Sequence, residues 1–204
     1  MTYTFHHKPT KFSDYIALSF CKIFRWGADM VFRHRHDRRA LVIETIAAIP
    51  GVVAGLFIHL KCIRKQWGDL GRIQLLHAEA ENERMHYQVF CDIVPLGWKE
   101  KVMIYSGQFG FFTFFFFLYF ISPSTAHRMV GYFEEEAIYS YTKYLNAINE
   151  GTVENIPAPM RAIEYWNLPH DAQLNEVIEA IIQDEMNHRD TNHGFADHPF
   201  SGTF

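Results

Sequence analysis

The sequence predicts an all-α protein with six helical segments, four of which line a bundle. Three observations lead there. Apolar residues recur at three- and four-residue spacing over long stretches. Alternating runs bounded by hairpin dipeptides are absent. No repeat of solenoid period divides the chain. With 204 residues, residues 1–204 read as one domain large enough to bury a core without disulfide staples. Charged residues make up 21% and hydrophobic ones 49%, which excludes a disordered tail. A net charge of −4 leaves no basic body for nucleic acid. Cys21, Cys62 and Cys91, odd in number and widely spaced, form neither a disulfide framework nor a cysteine zinc knuckle. Two features stand out: 12 His, and 19 Phe within an aromatic content of 16%. The mean hydropathy of −0.12 argues against a multi-span membrane protein.

Residues 1–38 form a basic arm. The pattern Tyr15, Ile16, Leu18, Phe20, Ile23, Phe24, Trp26, Met30 and Val31 makes 13–32 a helix suited to an anionic membrane surface. Residues 41–60 are nearly all apolar, and Pro50 predicts a kink. Residues 70–94 read as an amphipathic helix ending at Pro95. Residues 102–121 carry no charge and eight phenylalanines. Ser122-Pro123-Ser124 opens a helix over 125–149, residues 151–159 read as a loop, and the last helix covers 172–193.

Two Glu-x-x-His pairs occur, Glu83–His86 and Glu185–His188. Three-residue spacing puts both side chains on one helix face. The number of such pairs is what chance allows for this composition; their placement is the stronger signal. Glu83 and His86 lie on the stripe Ile73, Leu76, Ala80, Phe90, and Glu185 and His188 continue the stripe Leu174, Val177, Ile178, Ile181. Glu44 sits inside the apolar segment 41–60, and Glu134 is picked out by Val130, Ala137, Ile138, Tyr141 and Leu145. Glu135 and Glu136 fall at the edge of that face or outside it. A carboxylate on a core stripe is costly unless it is paired or bound to metal. One inward Glu on each of two helices and Glu-x-x-His on each of the other two is the ligand set of a ferritin-like di-iron or di-manganese four-helix bundle. Asn82 and Asp184, each four residues before a ligand His, are either exposed helix residues or partners that orient the imidazoles. Tyr141, two turns beyond Glu134, is either a core tyrosine or a redox-active one.

The stretches Ile43-Glu44-Thr45 with Pro50-Gly51, Asn82-Glu83-Arg84-Met85-His86, Phe133-Glu134-Glu135-Glu136-Ala137, Tyr165-Trp166-Asn167-Leu168-Pro169 and Asp184-Glu185-Met186-Asn187-His188-Arg189-Asp190 resemble the alternative oxidase family in the right order over residues 15–195. The resemblance implies a non-haem di-iron enzyme that oxidises ubiquinol and reduces O2 to water without pumping protons. It implies Glu44, Glu83, His86, Glu134, Glu185 and His188 as ligands of two Fe ions, in agreement with the stripes. It further implies a quinol pocket of Arg39, Ile43, Glu44, His127, Glu136, Ala137, Ser140 and Tyr141, with Arg25 as a second pocket arginine and Tyr141 as a radical site. Ile43 replaces the usual leucine, a volume-conserving change, and Met186 stands where alanine is commoner. The rival expectations are a ferritin-like iron-binding protein and a di-iron hydroxylase of a membrane lipid or quinone.

Twenty uncharged residues at 102–121 meet the length of a membrane span. Glu83 precedes the segment and Glu134 follows it, and both must reach one metal site, so a full crossing would separate them. The expectation is therefore a monotopic protein with this flank in one leaflet. The resemblance implies a homodimer on an inner membrane. A short, bacterial-type member on the cytoplasmic face and a protein on the mitochondrial matrix face are both open.

Overall fold

The computed structural model describes residues 7–202. Among them are eight helices and no strand longer than an isolated bridge: α1 Phe12–Phe32, α2 His36–Ala47, α3 Ile49–Lys65, α4 Arg72–Ile93, α5 Trp98–Ile121, α6 Pro123–Asn149, α7 Met160–Trp166 and α8 Leu174–Asp197. The expected six become eight for two local reasons. The apolar segment extends back to His36 and breaks at Ala48, where Pro50 occupies the first turn of α3. Proline is tolerated there because the first-turn N–H groups have no intrahelical acceptor. The second addition is α7, a helix of 7 residues after the 151–159 loop.

Helices α2 and α3 pack on α4, and α6 packs along α8. Glycine lets both contacts close. A Cβ on Gly51 would meet the Leu76 carbonyl of α4, and one on Gly131 would lie 2.5 Å from the His193 ring of α8. Helix α1 covers α6, while α5 lies against α2, α3 and α6.

The buried apolar side chains form two clusters. One gathers Leu41, Val89, Phe90, Ile138, Tyr141, Val177 and Ile181. The other gathers Ala17, Val53, Ile58, Leu76, Phe115, Met129 and Tyr132. Glu44, Glu83, Glu134 and Glu185 fall between them in sequence on α2, α4, α6 and α8, so the bundle has a polar waist between two apolar cores.

Helix α5 buries only Glu100, Phe115 and Tyr119. Tyr105, Phe109, Phe117, Phe120 and Ile121 face outward, as do Phe12, Ile16, Ile23, Trp26 and Met30 of α1. By length and composition alone, residues 36–65 and 98–121 could each cross a membrane; the first is half buried and the second 11% buried.

Candidate metal centre and adjoining cavity

The six expected ligands converge. Glu44 comes from α2, Glu83 and His86 from α4, Glu134 from α6, and Glu185 and His188 from α8, all buried. Glu44, Glu83, His86 and Glu185 offer ligand atoms within 4.8 Å of one another, and so do Glu83, Glu134, Glu185 and His188. Glu83 and Glu185 belong to both sets, so these two carboxylates would be common to both ions of a metal pair held here. His86 Nδ1 lies 3.5 Å from Glu83 and Glu185 and 3.6 Å from Glu44. His188 Nδ1 lies 2.8 Å from Glu83 and 3.4 Å from Glu185.

These atoms fit a metal pair. Apart from these carboxylate–imidazole contacts, both Glu83 oxygens, Glu44 Oε2, Glu185 Oε2, His86 Nδ1 and His188 Nδ1 are buried and lack a hydrogen-bond partner. Buried polar atoms are ordinarily satisfied, and this set is the donor set that two hard cations require.

The electrostatics show what holds the cluster together as protein alone. Burial, reinforced by Glu83, pushes the Glu44 carboxyl well up. Burial and the carboxylates of Glu185 and Glu83 do the same to Glu134. Burial would raise Glu83 too, but His188 and His86 outweigh it and hold the carboxyl well below its usual range. Burial opposes protonation of His188, yet Glu185 and Glu83 push it up to about 12. Groups held protonated in this way would give up protons when metal binds.

Asp184 organises one end. Its Oδ2 accepts from Asn82 Nδ2 at 2.8 Å and Trp166 Nε1 at 2.8 Å, and lies 3.2 Å from His86 Nε2. The bond fixes the proton on Nε2 and leaves Nδ1 for a cation. Asp184 therefore serves the imidazole of the facing helix rather than His188 of its own, and Asn82 supports Asp184. Trp166, seen in the sequence only as part of a motif, completes this cage.

Beside the ligands lies a largely apolar cavity that Glu44, Glu83, Glu134 and Glu185 reach. Of the expected quinol residues, Arg25, Arg39, Ile43, Glu136, Ala137, Ser140 and Tyr141 also line it. Arg25 Nη1 donates to Glu136 Oε2 at 2.9 Å, and Asp29 binds Arg39 and lies 3.6 Å from Arg25. Arg39 Nε is buried without a partner. The Tyr141 hydroxyl donates to Glu44, and burial followed by that carboxylate pushes the phenol well up.

Two expectations differ from what is found. His127 does not line the cavity; it is buried between Asn192 and Tyr119 on the α8 side of α6. Glu135 and Glu136 are not at an exposed edge but buried, Glu135 3.1 Å from His193 Nε2 and Glu136 bonded to Arg25. Helix α6 touches α1, α5 and α8, so it has almost no free side. Glu79 and Asn192, buried one turn outside Glu83 and His188, were not singled out from the sequence. Their signal was available: both continue a ligand face by four residues.

A sequence model described as "Alternative oxidase" matches residues 2–197. "Alternative oxidase 3, mitochondrial" of Glycine max is 47% identical over 194 residues, 95% of this chain and 60% of the relative. "Ubiquinol oxidase, mitochondrial" of Mangifera indica is 48% identical over 192 residues, 94% of this chain and 60% of the relative. "Ubiquinol oxidase 1a, mitochondrial" of Arabidopsis thaliana is 46% identical over 197 residues, 97% and 56%. The chain thus spans about three-fifths of the length of these curated relatives. A family match over nearly the whole chain, arrived at independently of the two overlapping ligand sets, establishes that it belongs to the alternative oxidase family.

Proposed function

We propose that this chain is a ubiquinol oxidase that couples two quinol oxidations to the reduction of one O2 to two waters, without moving charge across a membrane. The observation that carries the reading is the pair of ligand sets sharing Glu83 and Glu185, reached from an apolar cavity. A ferritin-like store needs the ligands but not the cavity.

Two iron ions held by Glu44, Glu83, His86, Glu134, Glu185 and His188 would supply the electron storage and oxygen reduction. The chain's own residues do the rest. The apolar wall, with Phe24, Phe111 and Phe133, takes the quinol ring and excludes water. Arg39 orients a quinol hydroxyl through its unpartnered Nε. Glu136, poised by Arg25, accepts a hydroxyl proton. Tyr141 holds its hydroxyl proton against Glu44 and so keeps that carboxylate oriented at the edge of the metal site.

A substrate dissolved in a bilayer suits a monotopic protein. In this reading α1 lies on the headgroups, the outward face of α5 enters one leaflet, and the inner membrane is the site of action, on a bacterial cytoplasmic or a mitochondrial matrix face. A homodimer belongs to the same proposal; exposed Val52, Leu56, Leu60 and Ile63 of α3 form a face that a second copy would cover. The test is oxygen uptake by the purified, iron-loaded chain with ubiquinol and cyanide. Two quinols consumed per O2 supports the reading. A hydroxylated product, or iron uptake without quinol oxidation, overturns it in favour of a hydroxylase or a store.

A further inference from the structure

Four of the buried polar groups that this reading leaves unused lie together at the His188 end of the metal site. Asn192 on α8 is fully buried. Its Nδ2 donates to both carboxylate oxygens of Glu79 on α4, at 2.9 and 3.0 Å, and to the His188 carbonyl at 3.0 Å. Its Oδ1 lies 2.9 Å from His127 Nδ1 on α6. His127 Nε2 lies 3.4 Å from the Tyr119 hydroxyl on α5. None of the four side chains belongs to a ligand set or lines the cavity.

The chemistry of the amide sets the direction of every bond. An Asn nitrogen only donates and its oxygen only accepts. Glu79 therefore accepts twice, His127 carries its proton on Nδ1, and Nε2 is left to accept from Tyr119. Burial supports this by pushing the His127 imidazole down to about 4, so that it stays neutral. A carboxamide at the centre holds groups in place but, unlike a hydroxyl or a water, has no titrating proton to pass on. The chain Tyr119–His127–Asn192–Glu79 is thus a brace and not a proton wire.

The brace ties together three of the four helices that carry ligands, at the end of the site opposite Asp184. We propose that Asn192 is a positioning residue which, through Glu79, His127 and the His188 carbonyl, holds α4, α6 and α8 at the spacing that the Glu83–Glu134–Glu185–His188 ion requires. Asp184 does the corresponding work for His86. The proposal rests on the two-metal reading above.

Cobalt(II) titration of the purified chain tests it, followed by equilibrium dialysis and by the visible absorption of the bound ion. The unmodified chain is expected to take up two ions. Asn192→Leu keeps the branched outline of the side chain, with bulkier ends, and removes all four bonds. One ion should bind as before and the other at least about 10-fold more weakly, the loss seen when a ligand's supporting bonds are removed, with changed absorption. Glu79→Gln is the milder variant and decides the matter if Asn192→Leu does not fold; it should weaken the same ion, and Asp184→Asn the other. A folded Glu79→Gln or Asn192→Leu chain that melts earlier but binds both ions with unchanged affinity and absorption overturns the brace and leaves the metal reading standing. Fewer than two ions on the unmodified chain overturns both.

Discussion

Glu83 and Phe109 both sit against the usual preference of their side chains. Glu83 is 1% exposed at the polar waist of the bundle, and Phe109 is 77% exposed on α5. Around Glu83 the interior gathers four carboxylates and two imidazoles, and atoms of Glu44, Glu83, Glu185, His86 and His188 are orphaned. Around Phe109 the exterior presents a row of aromatic rings. Buried charge is stable when compensated, and a large apolar patch when covered. The two regions therefore differ in the complement they suit: cations inside and, in the proposed reading, an apolar medium outside. The cavity lies between them, lined by Glu44 at one side and Phe111 of α5 at another. In the proposed reading it connects the medium that dissolves the substrate to the centre that oxidises it.

The comparison can be broken at its inner end first. Glu44→Ala or His188→Ala is expected to bring cyanide-resistant, ubiquinol-dependent oxygen uptake down to background in a folded chain. Uptake like that of the unmodified chain in either variant would remove the metal centre from the reaction.

The outer end comes next. Phe109→Ser with Phe120→Ser should weaken sedimentation with anionic phospholipid vesicles by roughly 100-fold, since each exposed ring transferred out of water is worth about 1.5–3 kcal/mol. Unchanged sedimentation would separate the α5 face from any membrane.

Between the two, Arg39→Ala should raise KM for ubiquinol by about 10-fold, the lower range for a hydrogen bond to a charged group, with two metal ions still bound. A change in kcat alone would place Arg39 outside substrate recognition.

The smallest effect is one of pH. In the metal-free chain the carboxyls of Glu44 and Glu134 stand well above their ordinary 4.5, and His188 stands at about 12 against an ordinary 6.5. All three keep protons in the folded state that the unfolded chain releases, so their stabilisation is lost as pH rises. Glu83 is held low and acts the other way only as pH falls below about 4.5. The melting temperature of the metal-free chain should therefore fall between pH 6 and 9 by at least about 3 °C, the shift about 1 kcal/mol produces at this size. Metal should flatten the profile. A melting temperature that rises over that range would contradict the proton-for-cation exchange.

Much of the inner region was legible in the sequence. Each ligand interrupts an apolar stripe, and a stripe is a property of one helix, so Glu83 and His86 could be assigned before any packing was known. Stripes were less informative on α6. Glu135 and Glu136 lie off the main stripe, yet helices on several sides enclose them, and a single-face argument assumes only one buried side. His127 is a different case: the resemblance implied a place in the quinol pocket, but packing against α8 turns it to Asn192. The apolar length of 102–121 was visible as well, and Glu83 and Glu134, which precede and follow it, meet in one cluster.

The sequence by itself determined the helical class, the six inward Glu and His side chains and the uncharged flank, because residue spacing along a helix is set by local geometry at 3.6 residues per turn. The tertiary structure alone decided which groups serve one another. Asp184 supports His86 rather than His188, Asn192 joins Glu79 to His127, and Tyr141 meets Glu44. Each of these pairs spans two helices far apart in sequence, and their contact depends on the crossing of those helices, which no single-helix pattern encodes.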